Sequence, residues 1–175
     1  MATYKIDVDH SDIMFKVKHL MISTVTGIFK KFDATLEVNE QDLSDAKVWF
    51  EADVDSVDTK NEGRDGHLKS DDFFNAEKFP KMTFKSTSIE KTDDNEYNLV
   101  GDLTIRDITK PVELKVEYNG STKDPWGQER MGFEISGKIN RKEFGLKWSA
   151  VTEAGGLVVA DDVKMAINVE MVKQA

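Results

Sequence analysis

Hydrophobic and polar residues alternate with a period of two along most of this chain, a pattern typical of β-strands with one buried face. Between Tyr97 and Ile105, for example, every second residue is apolar or glycine. Segments rich in Asn, Asp, Gly or Pro separate most of the alternating stretches and favour turns between them. The pattern predicts eight strands, over residues 13–18, 32–38, 46–54, 82–85, 97–105, 112–118, 131–139 and 163–171.

The order of these elements predicts an all-β fold. No helical pattern lies between most successive strands, so the strands should pair antiparallel rather than through crossover helices. Eight amphipathic strands in sequence favour an up-and-down barrel or a sandwich, and a closed barrel has the advantage that it leaves no exposed edge strand. The chain has 175 residues, which fits a single domain spanning 1–175.

One segment interrupts the alternation. Residues Glu62–Phe74 lack both alternation and β-branched residues, and Asn61 is a suitable N-cap for a short helix. This predicts a short helical insertion between the third and fourth predicted strands. Its apolar residues, Leu68, Phe73 and Phe74, should fold over one end of the barrel. A second irregular stretch, Arg141–Ala160, predicts a long loop, and loops of this length in compact domains are often functional.

Charge and composition exclude several function classes. The chain has 33 acidic and 24 basic residues, a formal net charge of -9, which disfavours a broad nucleic-acid surface and, on average, an anionic membrane. It has no cysteine, which excludes disulfides and thiolate chemistry. No signal-peptide pattern and no apolar run of about 18 residues are present. We therefore expect a protein without an integral membrane segment, cytoplasmic unless a leader has been removed, in which case periplasmic or extracellular.

The candidate chemistry is sparse. The three histidines, His10, His19 and His67, lie on separate segments without metal-ligand spacing, so we predict no metal site and no cofactor. His10 and Ser11 are adjacent, and neighbouring strand residues point to opposite faces, which argues against a catalytic triad. Pairs of aspartates fall in predicted turns. We predict no catalytic residue and a non-enzymatic protein.

Two features have alternative interpretations. Arg64 and Asp65, beside His67, either form an ion pair that holds the inserted helix on the barrel or a polar collar at a pocket mouth. The state of the barrel interior also has two interpretations, because eight strands enclose a space that side chains just fill or that holds one small ligand. Large inward residues such as Phe50 mix with small ones such as Gly101, which fits either case.

An ordered set of motifs carries a family resemblance. In chain order they are Asp9, His10, Ser11, Phe15, Val17, His19, Gly27, Phe29 and Phe32; Ser56, Thr59, Arg64, Asp65, His67, Leu68, Lys69, Phe73, Phe74, Pro80 and Phe84; Gly101, Leu103, Thr104, Ile105, Arg106, Thr109, Lys110 and Pro111; and Gly132, Phe133, Asn140, Arg141, Phe144, Gly145, Asp162 and Val163. This set resembles the YceI-like family of lipocalin-like polyisoprenoid-binding proteins. Asp107 stands where the family usually has Gly, and the chain is similar to the branch without a signal peptide.

The resemblance implies an eight-stranded antiparallel lipocalin-like barrel with an elongated apolar pore that holds a long-chain isoprenoid or other amphiphilic lipid. We predict three groups of lipid-binding residues. The pore-lining set is Phe15, Val17, Phe32, Phe50, Phe84, Leu103, Phe133 and Met165. The mouth is covered by Phe144 and Trp148, and its polar residues are His19, Arg64 and His67.

Two alternatives to the lipid-binding function stay open. A barrel filled by its own side chains would be an interaction or stress-response module without a ligand. An enzyme acting on a lipid-like substrate would need an acid or base facing the pocket with a perturbed pKa, and the sequence offers none. An apolar rim at the pore mouth would also favour a homodimer.

Overall fold

The computed structural model describes residues 1–39, 42–150 and 158–175. Within these ranges the chain forms one α-helix, α1 (Glu62–Lys69), and short 3₁₀ turns at Val8–His10, Val54–Ser56 and Arg141–Phe144. Its strands in the same ranges are β1 (Ala2–Ile6), β2 (Asp12–His19), β3 (Ser23–Phe29), β4 (Phe32–Asn39), β5 (Asp42–Asp53), β6 (Val57–Asp58), β7 (Lys81–Asp93), β8 (Glu96–Ile105), β9 (Ile108–Lys123), β10 (Glu129–Asn140) and β11 (Val159–Lys173).

Eight of these strands close into an antiparallel barrel. The order around the barrel is β1-β4-β5-β7-β8-β9-β10-β11, and β11 pairs back onto β1. Tyr4 shows the closure, because it is paired with Leu36 of β4 on one side and with Lys173 of β11 on the other. The predicted all-β barrel with a short helical insertion is therefore confirmed.

The strands β1, β3 and β6 were absent from the eight predicted from alternation. β1 and β2 follow the same neighbour, since Tyr4 is paired with Lys173 and Ile13 with Ile167, both on β11. They form one long strand interrupted by the 3₁₀ turn at Val8–His10. β3 then pairs with β2, and the two-residue β6 pairs with β3. β1 and β6 are too short to show a clear alternation of apolar and polar residues.

Gly27 explains why β3 is hidden as well. It occupies an inward position between Val25 and Phe29, so the strand lacks a continuous row of large apolar residues. The Phe15 ring of β2 lies directly over it: a Cβ added at Gly27 would lie 2.2 Å from Cζ of Phe15. A glycine is required at this position because the neighbouring strand β2 brings the Phe15 ring against the backbone of β3.

α1 begins and ends with local hydrogen bonds. The Asn61 side chain accepts a hydrogen bond from the Arg64 backbone N–H (2.9 Å), which is the predicted N-cap. At the other end the Ser70 backbone N–H donates to the His67 carbonyl. The helix itself has no buried residue, but Phe73 and Phe74, in the turns that follow it, are buried in the core. The segment therefore joins the barrel mainly through the residues after the helix.

The hydrophobic core lies inside the barrel and follows the predicted parity. In β8, Tyr97, Leu99, Leu103 and Ile105 are all buried. Gly101, the small residue in this row, lies under the Phe84 ring of β7, which a Cβ would approach to 2.3 Å. At this position the small residue accommodates a neighbouring ring.

The predicted loop Arg141–Ala160 is only partly irregular. It begins with the 3₁₀ turn Arg141–Phe144, which ends at Gly145 in a left-handed conformation (φ 81°). Residues 151–157, including the predicted loop residue Val151, lie outside the described ranges. β11 starts at Val159, before the predicted start at 163, so the end of the predicted loop is strand.

Candidate functional site

A cavity of about 380 Å³ runs through the barrel interior. Its wall consists almost entirely of apolar side chains from the barrel strands, from β2 and β3, and from α1 and the residues that follow it. This volume lies in the usual range of small-molecule sites and is more than twice that of an engineered apolar cavity of about 150 Å³ that binds benzene. The side chains therefore leave space for an apolar ligand.

Most of the predicted pore-lining residues border this cavity. Those at the wall are Phe15, Val17, Phe50, Phe84, Leu103, Phe133 and Met165. Phe32 does not border the cavity, although the parity prediction placed it there. It is the first residue of β4, at the junction with β3, and its half-buried ring packs against the core beside the cavity. The parity of the strand is correct, since Ala34 and Leu36 do line the cavity.

The two predicted mouth residues differ. Trp148 borders the cavity, as predicted. Phe144 does not: it belongs to the 3₁₀ turn Arg141–Phe144 and is only 1% exposed within the core. The turn directs the ring into the protein interior, whereas Leu146 and Trp148, past Gly145, return to the cavity wall.

Further wall residues were not among the predicted site residues. Inward positions of the predicted strands would have identified Leu36, Tyr97, Leu99 and Val116, because they share the parity of residues that were chosen. Other wall residues come from segments without alternation, namely Leu68, Phe73 and Phe74. Their apolar character was noted in the sequence, but only the fold brings them to the cavity.

The polar residues of the wall are concentrated at one end, which we call the open end and define by α1, Trp148 and the β2–β3 turn. Here the cavity reaches the exposed side chains of Lys18, His19 and Arg64. At the other end the wall residues, including Ile6, Tyr97 and Met171, are buried. The cavity therefore has an apolar, closed end and a cationic mouth.

Thr59 ties α1 to the end of β6. The Arg64 guanidinium donates from Nε to Thr59 Oγ1 (2.7 Å) and from Nη2 to the Thr59 carbonyl (2.7 Å). Asp65 Oδ1 accepts from the Thr59 hydroxyl (2.5 Å) and backbone N–H (2.9 Å). Arg64 and Asp65 therefore act through Thr59 rather than as a direct ion pair. Among the described residues Arg64 has no carboxylate partner, so its charge is available at the mouth.

His67 lies in an aromatic cluster at the open end. Its ring makes edge-on contacts with Phe73 and Trp148, each with centroids 5.0 Å apart, and Phe73 and Trp148 lie 5.8 Å apart. The Nε2 atom of His67 lies 2.9 Å from Asp72 Oδ2, which fixes the ring plane. The cluster presents aromatic surface to the cavity and the imidazole edge to a carboxylate.

Arg141 is the buried cation of the site, only 2% exposed. Its guanidinium donates to three backbone carbonyls: to Ala160 from Nε (2.8 Å), to Leu146 from Nη1 (2.5 Å) and to Val159 from Nη2 (3.3 Å). Burial lowers the pKa of the Arg141 guanidinium from its ordinary value. The residue connects the 3₁₀ turn to the start of β11 and contributes to the cavity wall. Sequence reasoning missed its burial because its partners lie up to 19 positions away.

The other candidate chemistry of the sequence is dispersed. His10 Nδ1 lies 2.8 Å from Asp7 Oδ2, whereas the Ser11 hydroxyl accepts from the Glu170 backbone N–H (3.1 Å), so the two residues have separate structural partners. No group of three or more His, Asp or Glu residues suited to a metal ion occurs in the described part of the chain. None of the helices described there is both long and apolar enough to span a bilayer.

Fold and cavity define a class of protein: eight-stranded antiparallel barrels with an internal apolar chamber. The chain belongs to the YceI-like family, whose domain model matches residues 4–171. A UPF0312 protein of Staphylococcus epidermidis is 43% identical over 171 residues, covering 97% of this chain and 97% of that protein. The family resemblance seen in the sequence motifs is therefore confirmed.

Solved structures agree with this assignment. The YceI protein of Campylobacter jejuni is 36% identical, with a TM-score of 0.78 and 90% of each chain covered. A polyisoprenoid-binding domain from Saccharophagus degradans is 13% identical, with a TM-score of 0.68 and 98% of each chain covered. At that identity the second likeness concerns the fold alone.

Proposed function

We propose that this protein binds a long-chain isoprenoid or similar amphiphilic lipid, with the chain in the barrel cavity and the head group at the open end. The observation that carries the proposal is the cavity itself, with its apolar wall and its cationic mouth. Each methylene group that moves from water into such a wall contributes about 0.8 kcal/mol to binding. A hydrocarbon chain of several carbons is therefore retained without any specific polar contact along its length.

The predicted residues divide into two roles in this proposal. The chain contacts Phe15, Val17, Phe50, Phe84, Leu103, Phe133 and Met165, with Trp148 at the entrance. His19, Arg64 and His67 face the head group. Arg64 suits a polar or anionic head group best, since its guanidinium has hydroxyl and carbonyl partners but no carboxylate among the described residues. Phe32 and Phe144 are left out because neither borders the cavity.

The site favours binding over catalysis. At the mouth, Arg64 bonds to Thr59 and His67 to Asp72, so these groups brace α1 and its neighbours and are not aimed together at one point. We therefore propose a non-enzymatic role in storage, transport or sensing. A polyisoprenoid-binding domain has the same fold, so an isoprenoid is the first ligand class to test. The filled-barrel alternative is disfavoured by the volume of the cavity.

The test is native mass spectrometry of the freshly purified protein, followed by solvent extraction and identification of the released compound. We expect a stoichiometric lipid adduct. If the purified protein carries no adduct, we expect it to take up an added isoprenoid alcohol. The matched pair of variants is Ala46→Phe and Ala166→Phe. Ala46 lines the cavity, whereas Ala166 lies on β11 between two inward residues and does not.

Ala46→Phe should reduce the bound fraction strongly, because the ring occupies cavity volume, whereas Ala166→Phe should leave it unchanged. Circular dichroism verifies that both variants are folded. Equal binding by both variants would locate the ligand outside the cavity. A folded wild-type protein that neither carries nor takes up any lipid would overturn the proposal and favour the interaction module.

A further inference from the structure

The turn between β2 and β3 exposes three consecutive large apolar residues. Leu20 is 38% exposed, Met21 55% and Ile22 82%. Single exposed apolar residues are common on protein surfaces, but a run of three at the tip of a hairpin is not explained by packing. None of the three borders the cavity, so their exposure is a property of the turn itself.

The backbone of this turn is unfavourable for the residues it holds. Leu20 and Met21 both adopt positive φ, 53° and 61°. The turn is closed by the Ile22 backbone N–H, which donates to the His19 carbonyl (3.2 Å). Asn and Gly are the residues usually found in hairpin turns with two positive φ values, because bulky side chains are strained there. Stability alone therefore favours other residues, and such outliers often mark a functional site.

The charge around the turn is opposite to that of the whole chain. Residues 13–32 contain four lysines and no acidic residue, whereas the chain carries a formal net charge of -9. Lys16 and Lys18 are exposed and have no ion-pair partner among the described residues; Lys30 is paired with Asp58 (2.9 Å). Lys16 and Lys18 therefore place exposed positive charge beside the turn on an otherwise anionic molecule.

The turn also lies beside the cavity mouth. His19 and Lys18, which precede it, border the cavity, as does Val25 after it. The Leu20 backbone N–H donates to the Val158 carbonyl (2.9 Å), and Val158 is another wall residue. Whatever surface the turn contacts is brought directly to the cavity entrance.

We propose that the β2–β3 turn docks on the surface of an anionic lipid bilayer. Leu20, Met21 and Ile22 insert between the lipid head groups, and the flanking Lys16 and Lys18 contact their phosphates. Apolar residues flanked by lysines are typical of segments that bind the membrane interface. The net charge of -9 should orient the protein with this turn towards the bilayer, because the same anionic surface repels the rest of the molecule. The average repulsion expected from composition is thus reversed locally.

A lipid surface fits this turn better than a second copy of the chain. Stable protein interfaces bury about 800 Å² on each partner, and a tip of three residues is far smaller. Insertion in a bilayer requires no such area, because each side chain contributes independently. The proposal rests on the proposed lipid-binding function, because docking would bring the cavity entrance to a source of lipid. Docking itself can be measured on protein with an empty or an occupied cavity.

The experiment is co-sedimentation of the full chain with vesicles of phosphatidylcholine alone or of an equimolar mixture with phosphatidylglycerol. Wild-type protein should sediment with the mixed vesicles, and added salt should reduce the bound fraction. The double variant Met21→Ser/Ile22→Ser should weaken binding at least about tenfold. The matched control is Trp126→Ser. Trp126 lies in the β9–β10 turn and is as exposed as Ile22 (82%), and the protein with this substitution should bind vesicles as wild type does.

Lys16→Gln should reduce binding to the mixed vesicles but not change the response to phosphatidylcholine alone. Docking is overturned if wild type does not sediment with either vesicle, or if the turn variant binds as well as Trp126→Ser does. Loss of a dimer in the turn variant, with no vesicle binding by wild type, would assign the turn to self-association instead. The same variants are tested for lipid uptake by native mass spectrometry. If wild-type protein takes up lipid but does not bind vesicles, only the docking proposal is overturned. If it binds vesicles but takes up no lipid, only the proposed cavity function is overturned.

Discussion

The two ends of the barrel use the same kind of side chain in different ways. β11 connects them: near its start Val159 is paired with His19, at the open end, and near its finish Val172 is paired with Arg130. A strand of this length spans roughly 45 Å. Arg64 and Arg141 lie at the open end, and Arg130 holds the closed end. The hydrogen-bond partners of these arginines differ between the two ends.

At the closed end, carboxylates surround the arginine. Arg130 donates from Nη1 to Asp7 Oδ2 (2.7 Å) and to Glu170 Oε1 (3.0 Å), and from Nε to Asp124 Oδ2 (2.9 Å). The hydrogen bond from Arg130 is the largest cause that lowers the pKa of Asp7, and it does the same for Asp124. The cluster joins the β1–β2 junction, the β9–β10 turn and β11. Its charges are satisfied internally.

At the open end, carbonyls and a hydroxyl take the place of carboxylates. Arg141 donates to three backbone carbonyls and Arg64 to Thr59, while Asp161 Oδ1 lies 3.9 Å from the Arg141 guanidinium. The closed end thus pairs its arginine with three carboxylates, whereas the open end leaves the exposed Arg64 without a carboxylate partner among the described residues, which suits the head group of the proposed ligand. The following changes test this difference, from the largest expected effect to the smallest.

Arg141→Met should destabilise the protein by about 3 kcal/mol, because three backbone carbonyls lose their donor in a buried site. The free energy of unfolding from urea titration measures the effect. Lys138→Met is the control: Lys138 is exposed on β10, and its substitution should change stability by less than about 0.5 kcal/mol. Equal effects of the two changes would contradict the structural role of the Arg141 hydrogen bonds.

Arg130→Met should destabilise the protein by about 2 kcal/mol, because three neighbouring carboxylates lose their common partner and repel one another. Lipid uptake measured by native mass spectrometry should stay at the wild-type level, since Arg130 does not border the cavity. A folded variant that no longer takes up lipid would contradict the division between the two ends.

Met21→Gly should stabilise the protein by about 1 kcal/mol, because glycine adopts the left-handed conformation of this position without strain. It should at the same time weaken vesicle docking. Ile22→Gly is the matched control, because Ile22 has no positive φ and gains nothing from glycine. Thermal unfolding of both variants measures the difference, and the account fails at this point if Ile22→Gly is the more stable of the two.

Acid should weaken the closed end. Because Arg130 lowers the pKa values of Asp7 and Asp124 below the ordinary 3.8, their contribution to stability is complete above that pH and is lost as the pH falls through the lowered values. Wild-type protein should therefore lose more stability than Arg130→Met between about pH 5 and about pH 2. Urea titrations of both proteins across this range measure the effect, and parallel losses would contradict it.

Much of the cavity wall could be predicted from the sequence because strand parity is local information. Phe84 and Leu103 were placed correctly by alternation alone. Parity does not tell where a strand bends, so Phe32 was placed at the wall although it lies at the β3–β4 junction. The burial of Arg141 depends on carbonyls of a distant segment, and no local pattern encodes it.

The most direct test of the account uses the tryptophans at the two ends. Trp148 borders the cavity at the open end and Trp126 is exposed in the β9–β10 turn. Trp49→Phe/Trp126→Phe leaves Trp148 as the fluorophore, and Trp49→Phe/Trp148→Phe leaves Trp126. A brominated long-chain fatty acid should quench Trp148 in a saturable way and leave Trp126 unchanged. Equal quenching of both residues, or quenching of Trp126 alone, would contradict a lipid-binding cavity with its mouth beside Trp148.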